Sequence, residues 1–285
     1  MDYPKTVDNV NLLNGKFTDG NPGAGVPASL VPAEWCNGVT DEILNLLASV
    51  GIVPDELNTS QLVSALAGRL LGIKVFIASG TYNPTQGTTS VVVEVLGGGG
   101  GGGASITTSS TQNSLGSGGA SGAYGKGRFT NAFSGVAVTV GSGGAGGIAG
   151  GASAQAGGTS SFGALLSCPG GGAPPNPGGA VTPPLVSTGG VGMPGGSPAG
   201  ANLAATSGQP GTTGLALSSN SGVSGSGGSS IYGVGGSAVY ASASQTGNNA
   251  SSYGAGGGGA TSATSSAGKN GGNGSPGIVL VWEFA

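Results

Sequence analysis

Five side chains between residues 122 and 133 stand out from their surroundings: Tyr124, Lys126, Arg128, Phe129 and Phe133. They bring the one basic cluster of the later chain together with three aromatic rings. Aromatic anchors carry much of the energy of binding surfaces, and a cation placed over a sugar or carboxylate adds orientation. Tyr232 and Tyr240 form a second candidate pair. The chemistry these residue types offer is non-covalent recognition. A competing use is burial, with Phe129 and Phe133 as plugs between glycine layers and the two tyrosines in a similar role.

Bond-making chemistry finds no support. The chain has no histidine, and beyond Gly97 its single carboxylate is Glu283. A carboxylate pair for glycoside hydrolysis is therefore missing from that part, as is a Cys/His cluster for zinc. Gly125-Lys126 is followed by Gly127, and Gly268-Lys269 by Asn270, so neither completes a phosphate-binding Gly-Lys-Ser/Thr loop. Matches to Gly-x-Gly-x-x-Gly arise by chance in so glycine-rich a chain, and the many serines have no base beside them. We expect a protein that is not an enzyme, with no cofactor and no metal. Cys36 and Cys168 read as two separate thiols rather than a disulfide. The net charge of −3 and the lack of a basic patch argue against nucleic acid. No stretch reads as a secretion signal or reaches 18 apolar residues, so membrane insertion is not expected.

The elements that would position these residues divide at one junction. The run Val91-Val92-Val93-Glu94-Val95-Leu96 reads as a strand, and seven glycines follow it directly. Only ten of the 66 glycines precede this point, whereas nine of the ten acidic residues do. Residues 276–285 return to an apolar strand, which could pair with the first and close off everything between.

Three regions follow. Residues 1–31, with successive Asn-Gly, Asp-Gly and Asn-Pro-Gly turn signals, read as an extended arm. Residues 32–72 read as helical. Trp35, Val39, Ile43, Leu46 and Val50 draw one apolar stripe, stopped by Gly51, while Leu62, Leu66 and Leu70 draw a second behind a capping box at Asn58 and Gln61. Helices this short are marginal alone, so their stripes are expected to meet those of other copies at a symmetry axis; an intramolecular hairpin is the alternative. Residues 73–285 form a glycine-rich tip, with strands at 73–79 and 90–96 before the glycines.

Disorder is the ready alternative for residues 97–275. Near-absence of charge, apolar islands at 129–140, 162–166 and 231–240, and the final strand argue against it. Ordering each glycine costs about 0.5–1 kcal/mol relative to alanine, and sparse side chains cannot offset that. Main-chain hydrogen bonds between closely approaching segments can, at about 0.5–1.5 kcal/mol each. The expected fold class is therefore mixed: an extended arm, two short helices in an oligomeric bundle, then short strands and polyglycine-type helices with loops gathered at the ends of the stack.

Certain stretches resemble the tail-fibre proteins of tailed bacteriophages. They are Asp19-Gly20-Asn21-Pro22, Pro27-Ala28-Ser29-Leu30-Val31-Pro32-Ala33-Glu34-Trp35, Thr40-Asp41-Glu42-Ile43 and Thr59-Ser60-Gln61-Leu62. The junction at 76–103, Val138-Thr139-Val140-Gly141-Ser142-Gly143-Gly144, Ser160-Ser161-Phe162-Gly163-Ala164-Leu165-Leu166, Tyr253-Gly254-Ala255-Gly256-Gly257-Gly258-Gly259 and residues 276–284 are similar to the glycine-rich domain that ends many such fibres. The resemblance implies a virion protein, assembled in the host cytoplasm as a homotrimer. Its N-terminal part would attach to the tail or baseplate, and loops between stacked polyglycine helices would bind a receptor on the bacterial surface during adsorption. The proline-rich runs at 169–177 and 183–184 depart from the pattern. Two other readings are a purely structural tail component and an extracellular glycine-rich matrix protein. The second of these calls for a secretion signal and tandem repeats.

Overall fold

The computed structural model describes residues 4–66, 68–186 and 190–285. The chain divides into two compact units, Met1–Arg69 and Leu70–Ala285.

In the first unit the expected extended arm is folded back instead. Leu13 and Lys16 exchange backbone hydrogen bonds, Asn21 bridges to Val26 around the 3-10 turn Pro22–Ala24, and the Leu30 N–H donates to Val10 O at 3.1 Å. Val10 is buried and the rings of Phe17 and Trp35 meet edge to face at 5.1 Å. Helix α1, Ala33–Ser49, starts after Pro32 and carries Trp35, Val39, Ile43 and Leu46, with Val50 just past its end. Helix α2 is a single turn, Gln61–Ala65, so the expected helical bundle is corrected: one turn cannot supply a second stripe. Asn58 does not cap it. Its Oδ1 is occupied by the N–H and hydroxyl of Ser60 in a local turn. Of the second stripe only Leu62 is helical. Leu66 follows the helix, and Leu70 has been captured by a β-ladder opposite Phe284. Gly38 lies mid-helix with nothing within 4 Å of a Cβ placed on it. Gly38→Ala is thus expected to stabilise the first unit by about 0.5–1 kcal/mol, read from its unfolding transition in the full chain.

The second unit is built of strands. In chain order they are β1 (Leu70–Phe76), β2 (Gly80–Tyr82), β3 (Ser90–Leu96), β4 (Asn113–Leu115), β5 (Tyr124–Phe129), β6 (Val136–Thr139), β7 (Ser160–Phe162), β8 (Leu166–Cys168), β9 (Ala180–Val181), β10 (Leu185–Val186), β11 (Ala204–Thr206), β12 (Leu215–Ser218), β13 (Ser221–Val223), β14 (Thr261–Ser262) and β15 (Ile278–Phe284). All ladders between them are antiparallel. They make four sheets, ordered β1-β15-β3-β5-β11, β2-β6-β7-β8, β14-β4-β9 and β10-β12-β13. The expected mixed helical class is replaced by this predominantly strand architecture. The final strand β15 inserts between β1 and β3, seven residues against seven on the β3 side. Its Val279 and Val281 pack with Val91, Val93 and Val95 of β3 on Tyr82, Val138, Phe162 and Leu166 of the second sheet.

Between the strands the glycine segments bond only outward. Gly97, Gly100 and Gly103 donate to Ala123, Ala120 and Ser117; Gly98 and Gly101 to Gly158 and Gln155; Gly99 and Gly102 to Ser275 and Gly272. All seven bonds are 2.8–2.9 Å. One run thus serves three neighbours, each at every third residue, whereas a strand alternates between two sides. The next pass repeats this: Gly116, Gly119 and Gly122 donate to Ala260, Gly257 and Gly254, while Gly118 and Ser121 donate to Thr212 and Gln209. Glycine is required because neighbours sit where a side chain would begin. A Cβ on Gly99 would stand 1.9 Å from Ala255 O, and one on Gly101 2.0 Å from Ala145 O.

Candidate functional site

The lattice of glycine passes has two ends. The five-stranded sheet caps the end where Gly97 leaves β3; at the other end Gly103 gives way to residues 104–115, which turn back to Ser117. Turns 148–153, 213–224, 238–246 and 261–269 also lie at that far end, tied by the bridges Val223–Tyr240 and Gln245–Thr261 and by the β14-β4 ladder.

The candidate recognition residues separate between these ends. On β5, Tyr124, Lys126 and Arg128 face one way, because β5 runs against β3 with Lys126 opposite Glu94 and Arg128 opposite Val92. The Lys126 ammonium lies 2.9 Å from Glu94 Oε1. The loop after residue 228 lays Tyr232 over the same carboxylate: its hydroxyl donates to Glu94 Oε2, and its ring meets that of Tyr124 edge to face at 6.4 Å. Burial alone would push the Glu94 carboxyl up, but the bonds from Tyr232, Lys126 and Tyr124 hold it below the usual 4.5. Conversely, burial and the neighbouring carboxylate push the Tyr124 phenol up to about 12, and that of Tyr232 further. Tyr124, Lys126 and Tyr232 therefore form one cluster around Glu94, satisfied by one another.

Phe129 and Phe133 are placed differently. Phe133 is buried in the main hydrophobic core and Phe129 packs against it. Arg128 is exposed; its backbone N–H donates to Asn202 Oδ1 at 2.8 Å and a guanidinium N–H reaches Ser90 Oγ at 3.4 Å. Tyr240 lies at the far end, 68% exposed, with Leu217 and Ile148 also exposed among the far-end turns. Tyr232 and Tyr240 thus belong to opposite ends, because the short pass at residues 234–237 carries the chain from one to the other.

Two carboxylates were not singled out from sequence as functional: Glu94 and Glu283. Each is a lone charge inside an apolar strand, and that was the available signal. Glu283 is 1% exposed and accepts from Tyr82 Oη at 2.7 Å, the Thr85 N–H at 3.0 Å and Thr85 Oγ1 at 2.6 Å, with Lys74 Nζ at 3.3 Å. It ties the loop after β2 to the closing strand. Cys36 and Cys168 are both free thiols, and burial pushes the Cys168 thiol up to about 12, where it is inert at neutral pH. Among the described residues no group of three or more His, Cys, Asp or Glu could hold a metal ion, and no helix is long and apolar enough to cross a membrane.

A glycine lattice clamped by an antiparallel sheet, with turns gathered at both ends, defines the class of protein. The family model described as "Glycine-rich domain" matches residues 77–282, and the chain belongs to that family. No curated protein matches it.

Proposed function

We propose that the chain is a bacteriophage tail-fibre protein whose glycine-rich unit binds a receptor on the host surface. The observation that carries this reading is the far end of the lattice. There, turns displaying Tyr240, Leu217 and Ile148 project from a body cross-linked by main-chain bonds in several directions. Such a body holds loops rigidly while leaving their sequences free to vary, which is what recognition of a particular surface needs. The first unit serves for attachment to the tail or baseplate and for assembly as a homotrimer. Its Val53, Leu57 and Val63 are more than 70% exposed, and Ile43, Leu46, Val50, Leu62 and Leu66 are at least a third exposed. Apolar surface left open on that scale calls for a covering partner.

The test uses purified full-length protein added to host bacteria before the phage. We expect it to block adsorption, and the double variant Tyr240→Ala/Leu217→Ala to lose about tenfold or more in blocking potency while keeping the same melting temperature. Failure of the wild-type chain to compete, together with loss of particle assembly in its absence, would replace this reading with a purely structural tail component.

A further inference from the structure

At the sheet-capped end a cavity of about 180 Å³ is lined by Tyr124, Ile231, Ser121, Thr206, Gln209 and Ser229, among others. One water needs only ~10–15 Å³ of such space, so the cavity is well above single-solvent size and can take a ring-sized ligand. Among the described residues no charged side chain lines it, and the nearby Lys126 ammonium is already paired with Glu94.

The polar groups are set in a particular way. Ser121 Oγ accepts the Gln209 N–H at 2.8 Å, Ser229 Oγ accepts the Gly235 N–H at 3.1 Å, and Thr206 Oγ1 accepts the Gly208 N–H at 3.4 Å. A hydroxyl held as an acceptor keeps its own proton to donate. Among the described residues none of these three donates to a protein atom, and the Gln209 carboxamide has no protein partner. Ser230 differs: its hydroxyl is spent on Tyr253 O. Ser121 is fully buried in the wall, so the backbone orients two unspent O–H donors, those of Ser229 and Thr206, and one free carboxamide around a neutral, ring-sized space beside an aromatic side chain.

We propose that this cavity binds a single neutral sugar ring. The ring packs on Tyr124, its oxygens accept from Ser229 and Thr206, and one of its hydroxyls pairs with the Gln209 carboxamide. An acidic sugar is disfavoured, because its charge would enter with no counter-charge. This goes beyond the attachment reading, since the site lies at the opposite end from Tyr240 and is testable with sugars alone.

The experiment titrates full-length protein with the methyl glycosides of glucose, galactose, mannose and N-acetylglucosamine, and with glucuronate, by calorimetry and ligand-observed NMR. We expect millimolar binding of at least one neutral sugar, with the uronate about tenfold weaker. Thr206→Val and Gln209→Ala, both at exposed positions, should each weaken that sugar about three- to tenfold, while Tyr240→Ala leaves it unchanged. Absence of binding by every neutral sugar, undiminished wild-type affinity in both Thr206→Val and Gln209→Ala, or loss of binding in Tyr240→Ala would each overturn the proposal. A chain that binds sugar yet fails to block adsorption overturns the attachment reading and leaves this one standing; a chain that blocks adsorption but binds no sugar does the reverse.

Discussion

Gly99→Ala is expected to prevent the Leu70–Ala285 unit from folding, whereas Gly196→Ala leaves it intact. The new methyl group on residue 99 would stand 1.9 Å from the oxygen of Ala255, 2.3 Å from its carbonyl carbon and 2.8 Å from Gly256 N. All three are main-chain atoms and cannot swing aside. The pass that holds them is itself bonded elsewhere: Ser275 N–H donates to Ala255 O, and Gly256 N–H to Gly228 O. Moving it also strains the bonds that Gly99 makes, its N–H to Ser275 O and its carbonyl from Gly144 N–H. Relief requires several passes to part at once, a loss above the ~4–5 kcal/mol that is already exceptional for one substitution. Gly196 has nothing within 4 Å of such a methyl and no left-handed backbone, so its change stays within about 1 kcal/mol. Thermal melts and amide exchange of the two full-length variants decide the matter; equal stability of the two would remove the lattice as the source of order.

The second large effect is at Glu283. Glu283→Gln keeps the shape but turns an acceptor into an amide that faces Thr85 Oγ1 and Lys74, both now without a charge to meet. We expect a loss of about 2–4 kcal/mol, with the Lys74 share small because its side chain is 38% exposed and screened. The same group gives the unit an acid branch. Burial alone would raise its carboxyl, but the Thr85, Tyr82 and Lys74 bonds hold it below the ordinary 4.5, as Glu94 is held by Tyr232, Lys126 and Tyr124. With folded values depressed, the unfolded chain takes up protons first as pH falls. Stability from both groups is therefore complete above 4.5 and lost as pH drops through their folded values. Melting temperature should be flat near neutrality and fall below that point, and Glu283→Gln should make the fall shallower. An unchanged acid branch in the variant would show that the network contributes nothing to it.

The two strands that clamp the lattice were legible because each is an unbroken apolar run beside glycines: residues 90–96 and 278–284 are strands as expected. The helical region was less so. Asn58 and Gln61 have the spacing of a capping box, but the choice between a cap and a local turn with Ser60 is one of geometry, not residue type. Leu70 fits either a helix stripe or a strand, and the decision came from Phe284, more than two hundred residues away. For the candidate site, the residues of 122–133 could be picked out by type, but not sorted. Strand alternation sends Lys126 and Arg128 to one face and Gly125 and Gly127 to the other, and only the register against β3 shows that Glu94 awaits Lys126. Tyr232 and Tyr240 looked alike because glycine passes carry no mark of their direction; one traversal between them sets them at opposite ends.

The placement of β15 has a bearing on how the protein is made. The chain reaches it only after every glycine pass, yet its station lies between two strands that precede them all, β1 and β3. During synthesis those two hold a vacant slot for the whole time that the glycine passes emerge. A nascent chain stopped before residue 278 would expose two raw edges with β-branched faces, an invitation to neighbouring polysomes. The arrival of β15 is therefore also the moment at which this unit becomes safe from its own siblings.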